Sequence, residues 1–303
     1  MPVLYDNIDF DIEALKHCGF GIESMQYCRL QISMEKLKNE ANFKNMYFWG
    51  RFNCVEYDYM VIEGRGFDEL RDRTFFISND ECLTWNKLTV TSQDLKSCLL
   101  KTNTNISLSG NPELEITFKV WTTKNTALQK PIDNINVMYD GCESPFEILN
   151  RMGITYEEIT VKEELVLAFL IEQIDSECNI VPRKSYIKRP DGIVVKNPYF
   201  KGLSNEHSLL PKYYQCFREK LTTQEAGDIV KNCISDFSID FMPSISFDTH
   251  CNGKWAMHAE RSGNIIIGRH LKWIGSSFYH LPNSCRYGSV YNGSGYAIKN
   301  ASN

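Results

Sequence analysis

The feature that most limits what this chain can fold into is the stretch from Tyr47 to Gly66. Tyr47, Trp49, Val55, Tyr57, Tyr59 and Val61 fall on one parity, with Arg51 and Asn53 among them. Phe48, Phe52, Met60 and Ile62 fall on the other. Aromatic and β-branched side chains suit a pleated strand, so the spacing predicts one long strand stopped by Gly64 and Gly66. Phe75–Ser78, Leu83–Val90 and Leu114–Trp121 read as further strands, most of them flanked by Asn, Asp or Gly. Near the C-terminus, Trp255–Arg261 and Ile265–Trp273 are β-rich runs joined at Ser262-Gly263-Asn264, a hairpin signal. Phe278–Leu281 and Tyr287–Tyr291 follow as short aromatic strands, and Gly293-Ser294-Gly295 opens a polar tail.

Helical periodicity is concentrated before this β-rich part. Ile12 and Leu15 recur at helical spacing until Gly19 and Gly21 interrupt. Ser24 is placed to cap a second helix lined by Cys28, Leu30, Met34 and Leu37. Between Thr160 and Asp175 two readings stay open. Thr160 with Glu163 makes a T-x-x-E capping box, which favours a helix, while the apolar run after it also fits a buried strand. Lys124–Gly141 lacks periodicity, contains Pro131, Asp133 and Asn134, and reads as a long loop. The expected fold class is α+β, a largely antiparallel β-rich body with an N-terminal helical arm and a few short helices. Residues 1–45 form the arm and 46–303 a single body.

Composition narrows the function classes. Hydrophobic residues make 43% and charged residues 23% of the 303, as in ordinary globular proteins. The longest apolar run, Leu165–Ile171, is far below the roughly 20 residues of a membrane-spanning helix. Acids at Asp6, Asp9, Asp11 and Glu13 do not fit a secretory signal. A net charge of −5 gives no general attraction to phosphate, so neither nucleic acid nor membrane is an expected partner. Charge does segregate locally. Seven acids face one base between Glu157 and Glu177, and six bases face one acid between Arg183 and Lys201. The plain reading is two solvated faces that partly neutralise each other. Eleven scattered cysteines, with no C-x-x-C pair, point to reduced thiols in a cytosolic or cytoskeletal protein.

Catalytic and cofactor motifs are missing. Glu63-Gly64-Arg65-Gly66 offers G-x-G, but Glu69 stands where a dinucleotide fingerprint needs its third glycine. His258, His270, His280 and Cys285 could be imagined around zinc, yet their spacing matches no ligand pattern. No G-x-S-x-G elbow, phosphate loop or kinase set occurs. The expectation is therefore no catalytic residue, no cofactor and no metal. Aromatic residues reach 12%, and Tyr and Trp suit protein interfaces because they bury large area with few rotors. The C-terminal set Trp273, Phe278, Tyr279, Tyr287 and Tyr291 is the candidate partner surface, against the alternative that these rings fill the protein's own core.

Several segments together resemble one family. FWGRFNCVEYDYMVIEG (Phe48–Gly64) is similar to the FWGRI…V…DYYIAQG strand of the radial spoke head protein 9 family. Trp85–Leu88 resembles its W-x-x-L step, and Gly110-Asn111-Pro112 its G-D-P turn. Ile174-Asp175 with Ile180–Arg183 resembles its ID…IIPRGA segment, and Phe200–Ser204 its F-x-G-L-S helix start. Asp240–Met242, Trp255, Glu260-Arg261, Leu271–Trp273, Phe278–His280 and Tyr287–Tyr291, with Gly293 and Gly295, then follow the family's order. The resemblance covers nearly the whole chain.

It implies a non-catalytic structural subunit of the radial spoke head in motile cilia, in the axoneme of the cytoskeleton. The implied role is to support head assembly and mechanical signalling between the central pair and the doublet dyneins. The implied partners are radial spoke head proteins 4 and 6, the MORN-repeat head protein and the spoke stalk scaffold. Three departures stand out. The family's P-R-G-A becomes Pro182-Arg183-Lys184-Ser185, its W-P-G corner becomes Trp273-Ile274-Gly275, and Pro211 falls inside an expected helix. A hydrolase or transferase with an unrecognised Cys/His site, and a cytosolic binding module outside the cilium, remain the alternative readings.

Overall fold

The computed structural model describes residues 2–4, 8–102, 105–123, 154–219, 238–246, 253–260 and 263–298. Its centre is a nine-stranded sheet. Strands β2 (Asn45–Phe52), β3 (Tyr59–Arg65), β4 (Arg73–Ser78) and the two-residue β5 (Asn86–Lys87) form an antiparallel meander. A second meander lies beside it. Two further strands, β6 (Glu115–Thr123) and β7 (Ile154–Lys162), pair with each other outside the sheet. Three shorter elements follow, β8 (Ile180–Pro182), the hairpin β9 (Tyr186–Lys188) with β10 (Val194–Lys196), and β11 (Tyr214–Cys216), which pairs with β8. The second meander consists of β12 (Trp255–Ala259), β13 (Ile266–His270), β14 (Ser276–His280) and β15 (Tyr287–Gly293). It joins the first through one parallel pair, β15 with β2. β1 (Val3–Leu4) pairs with β2. The α+β class with a mostly antiparallel β-rich body is therefore the observed one.

Both faces of the sheet are covered, which explains the apolar residues on both strand parities. Helices α1 (Ile8–His17) and α2 (Ser24–Glu40) pack Leu15, Leu30 and Met34 against Met46, Phe48, Met60, Ile62, Tyr279 and Val290. After α3 (Gln93–Leu99), whose Ser92 accepts a capping bond from Leu95 N–H, comes α4 (Glu163–Cys178). Val166, Leu167, Phe169, Leu170 and Ile174 of α4 fill the opposite face with Trp49, Phe52, Tyr59, Val61, Phe278 and Tyr291. Buried on nearly all sides, α4 carries the apolar run that periodicity could not resolve.

Four local expectations are corrected. The long strand is a hairpin. Residues 53–58 leave the sheet, Asp58 Oδ1 accepts from Cys54 N–H at 3.0 Å, and Val55 and Glu56 N–H bond to Leu108 and Ser109 carbonyls. Val55 and Tyr57 kept the alternating pattern but are exposed, so parity alone concealed the turn. The strand expected at Leu83–Val90 shrinks to two residues, because the Asp80 carboxylate captures the N–H groups of Leu83 and Thr84. The capping box does not form. Thr160 lies within β7 opposite Thr117, and β7 runs directly into α4. Ser24 is the first helical residue, after an N-cap at Glu23. The tail from Gly293 is not loose, since Gly295 N–H donates to Tyr291 Oη at 2.8 Å and Ala297 bridges Trp273.

The family-divergent positions are also placed. Lys184 adopts φ +73 where a glycine would be at ease, so the turn persists with a lysine in it. A short helix α5 (Asn205–Ser208) ends before Pro211, which opens a 3-10 turn, as a proline at that position should dictate. The loop expected at Lys124–Gly141 lies outside the described residues, as does His250.

Candidate functional site

Beneath the first meander lies a network of charged side chains that the apolar layers enclose. β3 points Glu63 and Arg65 to the same face, two residues apart, and both are wholly buried. Arg65 donates from Nε and Nη2 to the two Glu63 carboxylate oxygens at 2.6 and 3.0 Å, a bidentate pair. Its guanidinium is sandwiched between the Tyr47 ring at 4.3 Å and the Phe217 ring at 4.5 Å. Arg73, on β4, donates to Glu63 as well and forms a 2.7 Å ion pair with Asp175 of α4. Trp49 Nε1 and Asn179 Nδ2 also donate to Asp175, at 3.2 and 3.0 Å. Glu69 accepts from Tyr47 Oη at 2.9 Å and from Asn45.

The network ties three strands, helix α4 and the segment after β11 into one unit. Burial on its own would raise the Glu63 carboxyl, but the guanidinium groups of Arg65 and Arg73 outweigh it and hold the group at about 2. Glu63 is therefore ionised throughout the neutral range. A carboxylate locked in this way between two arginines is a fixture, not a proton shuttle. Two smaller anchors repeat the theme. Glu163, buried at the start of α4, accepts from Tyr59 Oη and from the N–H groups of Ser109 and Gly110. Glu177, near its end, accepts from Lys272 Nζ at 2.6 Å and Trp273 Nε1 at 3.2 Å.

The residues singled out from sequence are now placed. Trp273, Phe278, Tyr279 and Tyr291 are buried, and Tyr287 is half-buried. Trp273, Phe278 and Tyr291 lie in the layer under α4, whereas Tyr279 lies under α1 and α2, so the rings do not share one surface. The outward positions of the same segment are different residues. Trp273 pairs antiparallel with Ala297, and Ile298 N–H donates to the Lys272 carbonyl at 2.8 Å. Alternation from that bridge leaves Ile274, Tyr296 and Ile298 on the opposite side, all exposed.

The imagined zinc set is dispersed in environment. His258 and Cys285 are exposed, while His270 and His280 are buried with local partners. His270 Nδ1 accepts from Trp273 N–H, and burial, reinforced by Lys254 and Lys272, lowers this imidazole to about 3. His280 Nδ1 meets Tyr214 Oη at 3.2 Å. Burial lowers it to about 4, with an opposing contribution from a bond to Ser284. Among the described residues, no three His, Cys, Asp or Glu side chains are arranged to hold a metal ion. Burial pushes the Cys18 and Cys82 thiols up to about 12, which deprives them of nucleophilic thiolate at neutral pH. The charge network escaped sequence reading because Glu63-Gly64-Arg65-Gly66 drew attention to its glycines. Its signal was two opposite charges at i and i+2 inside an otherwise apolar strand.

Comparison with known proteins gives a uniform result. A family model described as Radial spokehead-like protein matches residues 3–87, which contain β1 to β5 and both N-terminal helices. Curated relatives named radial spoke head protein 9 homolog match as well, among them the following three. The one from Homo sapiens is 30% identical over 295 residues, covering 96% of this chain and 95% of the relative. The one from Bos taurus is 29% identical over 290 residues, 94% and 93% of the two chains. The one from Danio rerio is 26% identical over 292 residues, 96% and 95%.

Proposed function

This chain belongs to the radial spoke head protein 9 family, and from that premise we propose that it is a non-catalytic structural subunit of the spoke head in motile cilia. It is a radial spoke component of the ciliary axoneme. Its finer role is to help assemble the head and to pass mechanical signals between the central pair and the doublet dyneins. Radial spoke head proteins 4 and 6, the MORN-repeat head protein and the stalk scaffold are its partners in this reading. The observation that carries it is similarity over 96% of the chain to a protein of that name, a length that takes in the buried network. A body cross-tied by fixed charges suits a part that must transmit load without deforming. Contact with a neighbouring subunit is assigned to the outward face of Ile274, Tyr296 and Ile298, three exposed apolar side chains beside one another. Tagged protein expressed in ciliated cells is expected along the ciliary shaft and should persist in detergent-extracted axonemes. A diffuse pool that leaves with the detergent would overturn the assignment.

A further inference from the structure

Five of the seven acids of the first charge run are engaged away from the second: Glu163 with Tyr59, Glu164 with Thr89, Glu172 with Lys96, Asp175 with Arg73, and Glu177 with Lys272. In the basic run Arg183 pairs with Asp240 at 2.7 Å. Lys184, Lys188, Arg189 and Lys201 form no ion pair among the described residues. The run's one acid, Asp191, is turned onto its own backbone, with Oδ1 accepting from Ile193 N–H at 2.9 Å.

These four cations sit on and around the β9–β10 hairpin. Lys188 and Arg189 open its tip, the turn Arg189-Pro190-Asp191-Gly192 closed by Gly192 N–H to the Arg189 carbonyl. Lys184 and Lys201 flank its base. A strand of three residues is roughly 10 Å long, so base and tip lie within reach of one extended ligand. Lys184 is held at φ +73, a backbone region that favours glycine, and its side chain is exposed. Beside it Tyr199 is 86% exposed, the same fraction as the most exposed large apolar side chain described. Its backbone is nonetheless fixed. Asn197 Oδ1 accepts from Tyr199 N–H, and Asn197 Nδ2 donates to the Lys184 carbonyl. An aromatic ring presented to solvent from an anchored turn, between unpaired cations, has the make-up of an interface anchor.

We propose that the β9–β10 hairpin with Tyr199 is a docking surface for an acidic, extended segment of a partner protein. A peptide fits better than a polyphosphate or an anionic membrane. The site sets one exposed aromatic ring among its cations, which suits an acidic segment that also carries apolar side chains, and a single ring provides no stacking array for bases. Acidic peptides would bind here whether or not the protein is a head subunit.

The test uses the purified full chain and a fluorescein-labelled peptide alternating Glu and Leu. Saturable binding that weakens with added salt is expected. The double variant Lys188→Glu/Arg189→Glu and the single variant Lys201→Glu should each weaken it roughly tenfold or more, with unchanged melting. Tyr199→Ala should do the same. Lys87→Glu, at an exposed position of β5, should bind as the parent does. The inference is overturned if the Gln-for-Glu peptide binds equally well, or if the charge-reversed proteins retain full affinity. It is equally overturned if a single-stranded oligonucleotide or phosphatidylserine vesicles displace the peptide.

Discussion

Glu63 is the residue on which most of the interior charge balance rests. It is wholly buried and bridges Arg65 and Arg73, with a carboxyl held at about 2 against an ordinary 4.5. Removing one partner of a buried ion pair leaves the other charge uncompensated, and typically costs about 3–5 kcal/mol. Glu63→Gln is therefore expected to lower unfolding free energy by that amount in denaturant titration at neutral pH. The pH dependence has a definite sign. Because the folded value is depressed, the stabilising contribution is complete above about 4.5 and is lost as pH falls towards 2. The wild-type advantage should stay constant from neutral pH to about 4.5 and then shrink. An advantage that grows on acidification would contradict the assignment of Glu63 as the ionised hub. Reading this residue from sequence was not possible in full. The charge was visible, but its partner Arg73 is held in turn by Asp175 of α4, which lies more than a hundred positions away and is brought there only by the fold.

The C-terminal strands are the element whose inward and outward faces the structure separates. Trp273 packs into the layer under α4 and donates to Glu177, whereas Ile274, the next residue, faces out. Trp273→Ala should cost about 3–5 kcal/mol of stability, as large core truncations do. Ile274→Asp should leave stability within about 0.5 kcal/mol and instead reduce co-purification of other spoke subunits. Measuring melting and co-purification on both variants separates the roles; equal recovery of partners with Ile274→Asp would move the interface elsewhere. β2 shows a different constraint of this kind. Gly50 stands at a register shift with φ +150, and a Cβ there would come within 2.2 Å of the Tyr291 carbonyl oxygen. The parallel contact between the two meanders therefore closes only around a residue without a side chain.

At the scale of the whole molecule, the question is whether the helical arm and the β-rich body are separate units. We propose that residues 1–45 and 46–303 unfold together. Leu15, Leu30 and Met34 of the arm are buried against Met46, Phe48, Met60 and Ile62 on one face of the sheet. β1 adds backbone pairing to β2. Tryptophan fluorescence and far-ultraviolet circular dichroism should report one coincident thermal transition for the full chain. Two separated transitions would show that the arm is an independent unit.

How far the sequence reaches can be judged from particular elements. Short-range information was enough for the 255–270 hairpin, for the helices of the arm, and for the β-rich class, because alternation, helical spacing and glycine turns act between near neighbours. The co-linear motifs also carried the family. Tertiary structure decided whatever depended on distant segments meeting. It cut the Tyr47–Gly66 stretch into two strands, because residues 53–58 bond to the 108–110 loop. It made a helix of the apolar run at 163–178, because one sheet face needed covering and the run could be buried all round. It drew the acids of that run to Lys96, Arg73 and Lys272, away from the basic hairpin that follows. Charge order along the chain was legible from the residues alone, but which charges meet is set by packing, since a buried ion must find its counterion in space and not in sequence.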